Sequence, residues 1–357
     1  MPEPLKNLYT RALIERLAHQ LQGLSREFDR HTFVNDVFRE PWHELELKAR
    51  MRRVTLSLRQ HLPDDFPATA SLLSECSRQF SGFETMFFAE YVELFGLEHF
   101  EESMRALEIM TRYSSAEFAV RPFIVKYPER MMQQMLDWSR SSDPHIRRLA
   151  SEGCRPRLPW AMALPRFKRD PSPILPILEN LRDDQSDYVY RSVANNLNDI
   201  SRDHPELVLE LAQRWYGHSA TTDWVIKHAC RTLLKDGNSE ALALFGFADP
   251  GHVRVRNFEM SAQVEIGDRL HFSCDLVADK PLGLCRLEYR ILYLRANGSL
   301  SGKVFKISEV DIKAHRRRVE RSHSFRPITT RVFYPGQHGL ELLLNGKTIA
   351  TGDFRLC

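Results

Sequence analysis

The sequence predicts two domains of different class, an all-α HEAT-like repeat array followed by an immunoglobulin-like β-sandwich. Apolar residues recur with helical spacing up to about residue 250, and after that point they alternate with a period of two. Asn-Gly pairs, which favour tight hairpin turns, lie in the second region at 297–298 and 345–346. We therefore predict a helical domain at 1–250 and a β-sandwich at 251–357.

Amphipathic helices are predicted along the first 125 residues. Apolar side chains recur every three or four positions in LYTRALIERLAHQL (8–21) and in WHELELKARMRRVTLSLRQHL (42–62), which ends before Pro63. The apolar segment MFFAEYVELFG (86–96) ends on a glycine, a common helix stop. Each stretch has one apolar face to bury against a neighbouring helix.

A repeat is present at 128–245. In each copy a proline opens an amphipathic stretch, a polar turn ending in Asp follows, and a second amphipathic stretch closes the unit. The prolines are Pro128, Pro171 and Pro205, and the aspartates are Asp143, Asp187 and Asp223. Proline in a first helical turn and Asp at an N-cap both start helices. Helix–turn–helix units with a period of about 34–43 residues indicate a HEAT-like array, and we expect the second helices to line its concave face.

Short strands are predicted after residue 250. LHFSCDL (270–276) and CRLEYRILY (285–293) alternate apolar and other residues, and the Asn-Gly turns fall between such runs. About 100 residues of short strands with regular turns favour an immunoglobulin-type sandwich.

Cysteine spacing and hydropathy limit the class of protein. The chain has six cysteines without a CxxC pair, and no histidine pair has zinc-ligand spacing, so we expect reduced thiols, no disulfide and no metal. No apolar run approaches the length of a membrane span, and the first twenty residues lack a signal-peptide core. These features predict a cytoplasmic protein that does not enter a membrane.

Positive charge is concentrated in the last third of the chain. Residues 251–357 contain 18 Lys and Arg against 11 Asp and Glu, whereas the rest contains 32 against 36. Such asymmetry suggests that the β-domain meets a polyanion, although a soluble domain rich in arginine has the same composition.

The stretch RRLASEGCRPRLPW (147–160) places one carboxylate, Glu152, among arginines and ends on Trp160. Its arginines are Arg147, Arg148, Arg155 and Arg157. Acids recur at the matching level of the neighbouring inner helices, as Glu117 one repeat earlier and Asp199 one repeat later. A solvated helix face is the plain alternative for any one acid, but three neighbours favour a functional site.

Arginines also recur beside these acids, at Arg121 and Arg191 as well as in the 147–157 stretch. Guanidinium groups at repeat spacing suit a run of phosphates. Carboxylates disfavour DNA binding, so their presence among these arginines needs another explanation. A positive charge on the ligand or on its transition state is one. Cleavage of an N-glycosidic bond gives the sugar oxocarbenium character, which a carboxylate stabilises while it positions water. Trp160 either stacks on a sugar or base, or packs in the core after Pro159.

The basic run KAHRRRVERSHSFR (313–326) is a second candidate for a polyanion contact. We expect an exposed hairpin or edge strand on which Arg316, Arg317 and Arg318 grip a DNA backbone. The alternative is that these charges only protect a sheet edge from pairing.

Four motifs resemble those of the AlkC family, HEAT-like-repeat DNA glycosylases related to AlkD. They are ELELKARMRR (44–53), SSAEFAVRPFI (114–124), LASEGCRPRLPW (149–160) and SVANNLNDIS (192–201). The resemblance covers essentially the whole chain, including a C-terminal immunoglobulin-like domain that AlkD lacks.

The resemblance implies a monofunctional glycosylase that excises 3-methyladenine and 3-methylcytosine from duplex DNA by hydrolysis, without a Schiff base and without flipping the base. It places the catalytic acids at Glu117, Glu152 and Asp199 and the aromatic residue at Trp160. It implies no cofactor, because the leaving group carries its own charge. We expect Arg121, Arg148, Arg155, Arg157 and Arg191 to bind DNA, and alkylated double-stranded DNA to be the partner of a monomer.

Two other hypotheses remain open from the sequence. Helical arrays often serve as scaffolds, so the chain could hold a protein partner without any chemistry. It could also bind distorted DNA without releasing a base, although the intact set of acids argues against this.

Overall fold

The structure, a computed structural model, describes residues 3–328 and 331–357. Over these residues the α-helices all precede the β-strands, and the strands form two sheets. The predicted fold class, a helical repeat region followed by an immunoglobulin-like β-sandwich, is confirmed. Within the described part of the chain, no helix is both long enough and apolar enough to cross a membrane.

The helices have the following bounds: α1 (Arg11–Leu24), α2 (Arg30–Val37), α3 (Leu47–His61), α4 (Phe66–Ser77), α5 (Phe87–Phe95), α6 (Phe100–Met110), α7 (Val120–Lys126), α8 (Pro128–Trp138), α9 (Pro144–Gly153), α10 (Pro165–Arg169), α11 (Leu175–Leu181), α12 (Asp187–Ile200), α13 (Pro205–Trp215), α14 (Ala220–Ala229), α15 (Arg231–Lys235) and α16 (Ser239–Leu244). The strands are β1 (Arg254–Met260), β2 (Gln263–Val264), β3 (Arg269–Val277), β4 (Gly283–Leu294), β5 (Leu300–Ile312), β6 (Arg316–Ser324), β7 (Gly336–Leu344) and β8 (Lys347–Leu356).

Three of the six predicted start signals act as expected. Helices α8 and α13 begin at Pro128 and Pro205, and the Asp143 carboxylate caps α9 by accepting a 2.8 Å hydrogen bond from the backbone N–H of His145. The signal at Pro171 is wrong, because a short 3₁₀ turn follows it and α11 begins only at Leu175. The predicted caps at Asp187 and Asp223 are also wrong, because α12 begins at Asp187 itself and α14 has already begun at Ala220. These errors shift helix starts by a few residues and keep the helix pairs.

Two compact units can be distinguished by packing. One contains residues up to His204 together with Trp215–Ala229, and the other contains Pro205–Arg214 and Cys230–Cys357. In the first unit, α12 packs between α9 and α14, so the second helices of the repeat are neighbours as expected. The division at residue 250 stays a prediction.

The second unit contains a three-stranded sheet, order β1-β3-β6, and a five-stranded sheet, order β2-β8-β7-β4-β5. Both predicted Asn-Gly turns connect antiparallel neighbours, β4 with β5 and β7 with β8. At the second turn Asn345 and Gly346 both have positive φ, the conformation that a tight hairpin requires. The six cysteines are free, and five of them are buried.

Candidate active site

Three carboxylates and two arginines form an alternating series across neighbouring helices of the first unit. In spatial order they are Glu117, Arg148, Glu152, Arg155 and Asp199, and each arginine pairs with the carboxylate on either side of it. We call these five residues the acid–arginine chain. Residues 148 and 152 lie one turn apart on α9, and α12 supplies the aspartate. The three acids that recur along the sequence are therefore connected in the structure through two shared arginines.

Arg148 joins the first two acids. One of its terminal nitrogens donates to Glu117 and, at 2.9 Å, to the hydroxyl of Ser115, while the other lies 3.6 Å from the Glu152 carboxylate. The guanidinium carbon also lies 4.9 Å from the ring centre of Tyr188. Burial lowers the pKa of Arg148, but the carboxylates of Glu152 and Glu117 outweigh it and raise the pKa above its ordinary value. The side chain is thus held as a cation.

Glu152 lies at the centre of the chain and is 6% exposed. Arg155 donates to one carboxylate oxygen at 2.6 Å, and the hydroxyl of Ser192 donates to the other at 2.6 Å. The bond from the Arg155 guanidinium is charge-assisted, and such bonds are stronger than neutral ones. Both oxygens of the predicted catalytic acid are therefore fixed in direction.

Arg155 binds Asp199 with two of its nitrogens, at 3.0 and 3.3 Å, in addition to its bond to Glu152. Burial lowers the pKa of Arg155, and the Glu152 and Asp199 carboxylates more than offset this and raise it. Its guanidinium is only 9% exposed and is directed toward carboxylates. A phosphate contact, as predicted from the sequence, does not fit this arrangement.

The prediction that Arg121 binds DNA is also corrected by the structure. The side chain has no exposed surface and donates to three backbone carbonyls, those of Met162 at 2.7 Å and of Gly153 and Arg155 at 2.9 Å. Burial lowers its pKa to about 10, so it remains charged at neutral pH. It secures the loop that follows α9 rather than facing solvent.

Trp160 lies on that loop and is 59% exposed. Its edge faces the ring of Phe83, with centroids 5.9 Å apart, and its backbone has φ +65°. The alternative that Trp160 packs in the core is wrong. An exposed indole beside the acid–arginine chain is available to a ligand.

Two further predicted DNA contacts lie on the surface. Arg157 pairs with Asp203 at 2.7 Å and is one-third exposed, and Arg191 pairs with Asp187 at 3.2 Å and lies over the ring of Trp224. Exposed pairs of this kind contribute little and exchange readily. DNA binding by Arg157 and Arg191 stays a prediction.

Sequence reasoning missed the polar residues that orient the acids. Ser192 and Ser115 each donate to a catalytic-site carboxylate, and the amide of Asn196 donates to the backbone oxygen of Ser151 at 2.8 Å. Both serines stand in the motifs that carried the family resemblance, which was the available signal. Their partners depend on how successive helices align, and spacing alone does not show this.

A hollow of about 300 Å³ opens beside Glu117 and Arg148. Its wall includes the aromatic rings of Phe83, Tyr113 and Tyr188. Aromatic faces next to carboxylates suit a flat cationic group. The described residues include no cluster of His, Cys, Asp and Glu suited to a metal ion.

The arginines of β6 have a different environment. This strand is an edge strand, one of the two arrangements that the sequence predicted. Arg316 and Arg318 lie on its outer face, where they approach Asp275 of β3 at 3.0 and 3.7 Å, while Arg317 lies opposite buried Leu276 on the inner side. An inward-pointing charge at a sheet edge blocks pairing with another strand, so Arg317 fits edge protection better than DNA binding.

Comparisons with known proteins find relatives of both the helical region and the β-strand region of the chain. A family model described as DNA alkylation repair enzyme matches residues 109–233, and one described as the C-terminal Ig-like domain of uncharacterised protein YhaZ matches 254–357. Protein YhaZ of Bacillus subtilis strain 168 is 44% identical over 355 residues, 99% of each chain. The structure of Pseudomonas fluorescens alkylpurine DNA glycosylase AlkC, bound to DNA containing an abasic site analog, matches with a TM-score of 0.94 and 35% identity, covering 99% of this chain and 100% of that one.

Proposed function

Since this chain belongs to the AlkC-type family of DNA alkylation repair enzymes, we propose that it is a DNA glycosylase that removes alkylated bases by hydrolysis of the N-glycosidic bond. The observation that carries the proposal is the acid–arginine chain, in which a buried carboxylate lies between two arginines and both of its oxygens are oriented. Such a group stabilises positive charge that develops next to it.

The substrate we propose is a base alkylated on a ring nitrogen, with 3-methyladenine and 3-methylcytosine as the simplest cases. A cationic base leaves as a neutral molecule when the bond to the sugar breaks and its electron pair goes to the base. The sugar is then positively charged, and water attacks it and loses a proton. Because the leaving group needs no protonation, a site of carboxylates, guanidiniums and hydroxyls is sufficient.

Glu152 is the residue to which we assign stabilisation of the sugar cation and orientation of the attacking water. Glu117 and Asp199 add negative field at the ends of the chain. Trp160 contacts the sugar or a neighbouring base. The chain of five residues contains no lysine amine, which supports hydrolysis without a Schiff base and hence no lyase activity.

We further propose duplex DNA as the substrate, acted on by a monomer without flipping of the damaged base. In support, the space beside Glu117 is a partly open hollow of about 300 Å³ with aromatic rings in its wall. The surface arginines Arg157 and Arg191, with Arg316 and Arg318 of β6, supply phosphate contacts. The reaction would take place in the cytoplasm, on DNA of the nucleoid.

The experiment that tests this function is release of methylated bases from alkylated duplex DNA by the wild type, Glu152→Gln and Glu129→Gln. Glu129 is an exposed acid in the first turn of α8 and serves as the matched control. We expect the wild type and Glu129→Gln to release 3-methyladenine and 3-methylcytosine, and Glu152→Gln to retain DNA affinity while losing at least about a hundredfold in rate.

Other outcomes distinguish the alternatives. If the wild type binds DNA with an abasic site but releases no base, the protein is a binder of distorted DNA. If it neither binds DNA nor releases a base, it is a scaffold for a protein partner. Equal loss of affinity and rate in Glu152→Gln would assign this acid a structural role.

A further inference from the structure

The loop that follows α9, residues 154–164, carries the exposed indole of Trp160 and is tied down at both ends. Arg121 binds the carbonyl oxygens of Gly153 and Arg155 at its start and that of Met162 near its end. Within the loop, the backbone N–H of Leu164 donates to Pro156 at 3.2 Å. A fully buried cation with three carbonyl acceptors therefore fixes the path of the loop.

A second cation reaches the same loop from another helix. Lys48, in the first turn of α3, donates through its ammonium group to the carbonyl oxygen of Trp160. The ammonium also lies 4.9 Å from the ring centre of Phe118, next to the predicted catalytic acid Glu117. Lys48 stands in the ELELKARMRR stretch, and the proposed chemistry gives that stretch no role.

The backbone at Trp160 needs such support. Its φ of +65° lies in the left-handed region, which a residue with a large side chain rarely occupies. Conformations of this kind persist when the surroundings determine them, and they are frequent at functional sites. The indole itself is 59% exposed, so its own packing cannot impose the conformation.

We propose that Lys48 and Arg121 are positioning residues for Trp160, which hold the loop carbonyls so that the indole projects into solvent beside the acid–arginine chain. Lys48 fixes the carbonyl of the left-handed residue itself, and Arg121 fixes the two ends of the loop. For its consequence in catalysis this inference rests on the proposed glycosylase function. The conformation of Trp160 can be measured whether or not the protein is a glycosylase.

The test uses full-length protein labelled with 5-fluorotryptophan, and ¹⁹F NMR of Lys48→Met, Lys48→Arg and Arg53→Met. Trp160→Phe identifies the Trp160 resonance among the five tryptophans. Methionine keeps an apolar stem and removes the cation. Arg53 is the matched control, because it also lies on α3 and donates to a backbone carbonyl, that of Arg39 at 3.0 Å, away from this loop.

We expect Lys48→Met to shift or broaden the Trp160 resonance, Lys48→Arg to restore it, and Arg53→Met to leave it unchanged. In single-turnover base release, Lys48→Met should lose about tenfold in rate, with DNA affinity within about twofold of wild type, because the indole matters in the transition state. Arg121→Met should perturb the same resonance if it folds, and the lysine variants carry the test if it does not.

An unchanged Trp160 resonance in Lys48→Met would overturn the proposal. If DNA affinity also fell and the salt dependence of binding decreased by about one unit of slope, Lys48 would be a phosphate contact instead. Absence of base release by the wild type would reject the glycosylase function. The resonance would still report whether Lys48 positions Trp160.

Discussion

In α9 and the loop after it, Arg148 and Arg155 are 14% and 9% exposed and each pairs with two carboxylates. On β6, Arg316 and Arg318 are 68% and 42% exposed. Both approach Asp275, and Arg318 also pairs with Glu320 at 3.2 Å. Both stretches are arginine-rich in the sequence. The difference shows that burial of the guanidinium groups among carboxylates, rather than the number of arginines, decides which cations can meet a polyanion.

Arg155→Met is the strongest test of this contrast. It would leave Glu152 and Asp199 buried without their shared cation, and removal of one partner of a buried ion pair costs about 3–5 kcal/mol. We expect the free energy of unfolding, measured with urea, to fall by this amount. Arg157→Met is the control from the same loop, and loss of its partly exposed pair with Asp203 should cost at most about 1 kcal/mol.

If Arg155→Met and Arg157→Met lower the free energy of unfolding by the same small amount, the acid–arginine chain is solvated. The distinction between a buried set of charges and a surface set would then fail. DNA affinity should be affected more by Arg157→Met, because only that arginine is exposed enough to reach a phosphate.

The inner face of β6 provides the second test, because it carries a buried neutral group. The ring nitrogens of His323 lie 3.0 and 2.8 Å from the hydroxyls of Tyr289 and Tyr293, and burial lowers the pKa of His323 to about 4. Between pH 6.5 and 4 only the unfolded chain binds this proton. The stabilisation is therefore complete above pH 6.5 and is lost as the pH falls toward 4.

We expect the free energy of unfolding to fall by about 2 kcal/mol more between pH 7 and pH 5 in the wild type than in His323→Gln. His271→Gln, which changes an exposed histidine of the same sheet, should keep the wild-type dependence. If His323→Gln retains the full dependence on pH, the ring is protonated in the folded protein and the two faces of β6 are not as different as the structure indicates.

The smallest expected effect concerns the outer face of β6. Replacing Arg316 and Arg318 together with alanine should reduce the slope of log affinity against log salt by about two and weaken DNA binding about tenfold. Arg317→Ala, on the inner side of the same strand, should leave the slope unchanged. An equal effect of all three would mean that the strand contributes only net charge, whichever way its side chains point.

Helix–turn–helix units, the change of period near residue 250 and the two Asn-Gly hairpins could be predicted from the sequence, because they depend on local spacing. The grouping of Glu117, Glu152 and Asp199 could also be anticipated, since a repeat brings equivalent positions to one level. These predictions hold despite small errors in the predicted helix bounds, such as the later start of α11.

The partners of the arginines could not be predicted in this way. Arg148 and Arg191 are each the fifth residue of their helices, α9 and α12, yet one is largely buried between two carboxylates and the other is exposed beside Asp187. Which carbonyl or carboxylate a long side chain reaches depends on the loop between helices, and the left-handed backbone at Trp160 leaves no local mark in the sequence. Resemblance to a family predicted the candidate site residues, but the geometry was needed to show which of the predicted arginines are buried and which are exposed.

The acid–arginine chain also restricts the paths along which this protein can evolve. Because each arginine serves two acids, a neutral replacement of either arginine leaves carboxylates without their shared cation, whereas replacement of one acid leaves each arginine another partner. A lineage could exchange the set for apolar residues only through intermediates less stable than either end. The two arginines of this set can be lost only together with their acids, so they should persist longer than the surface arginines around them.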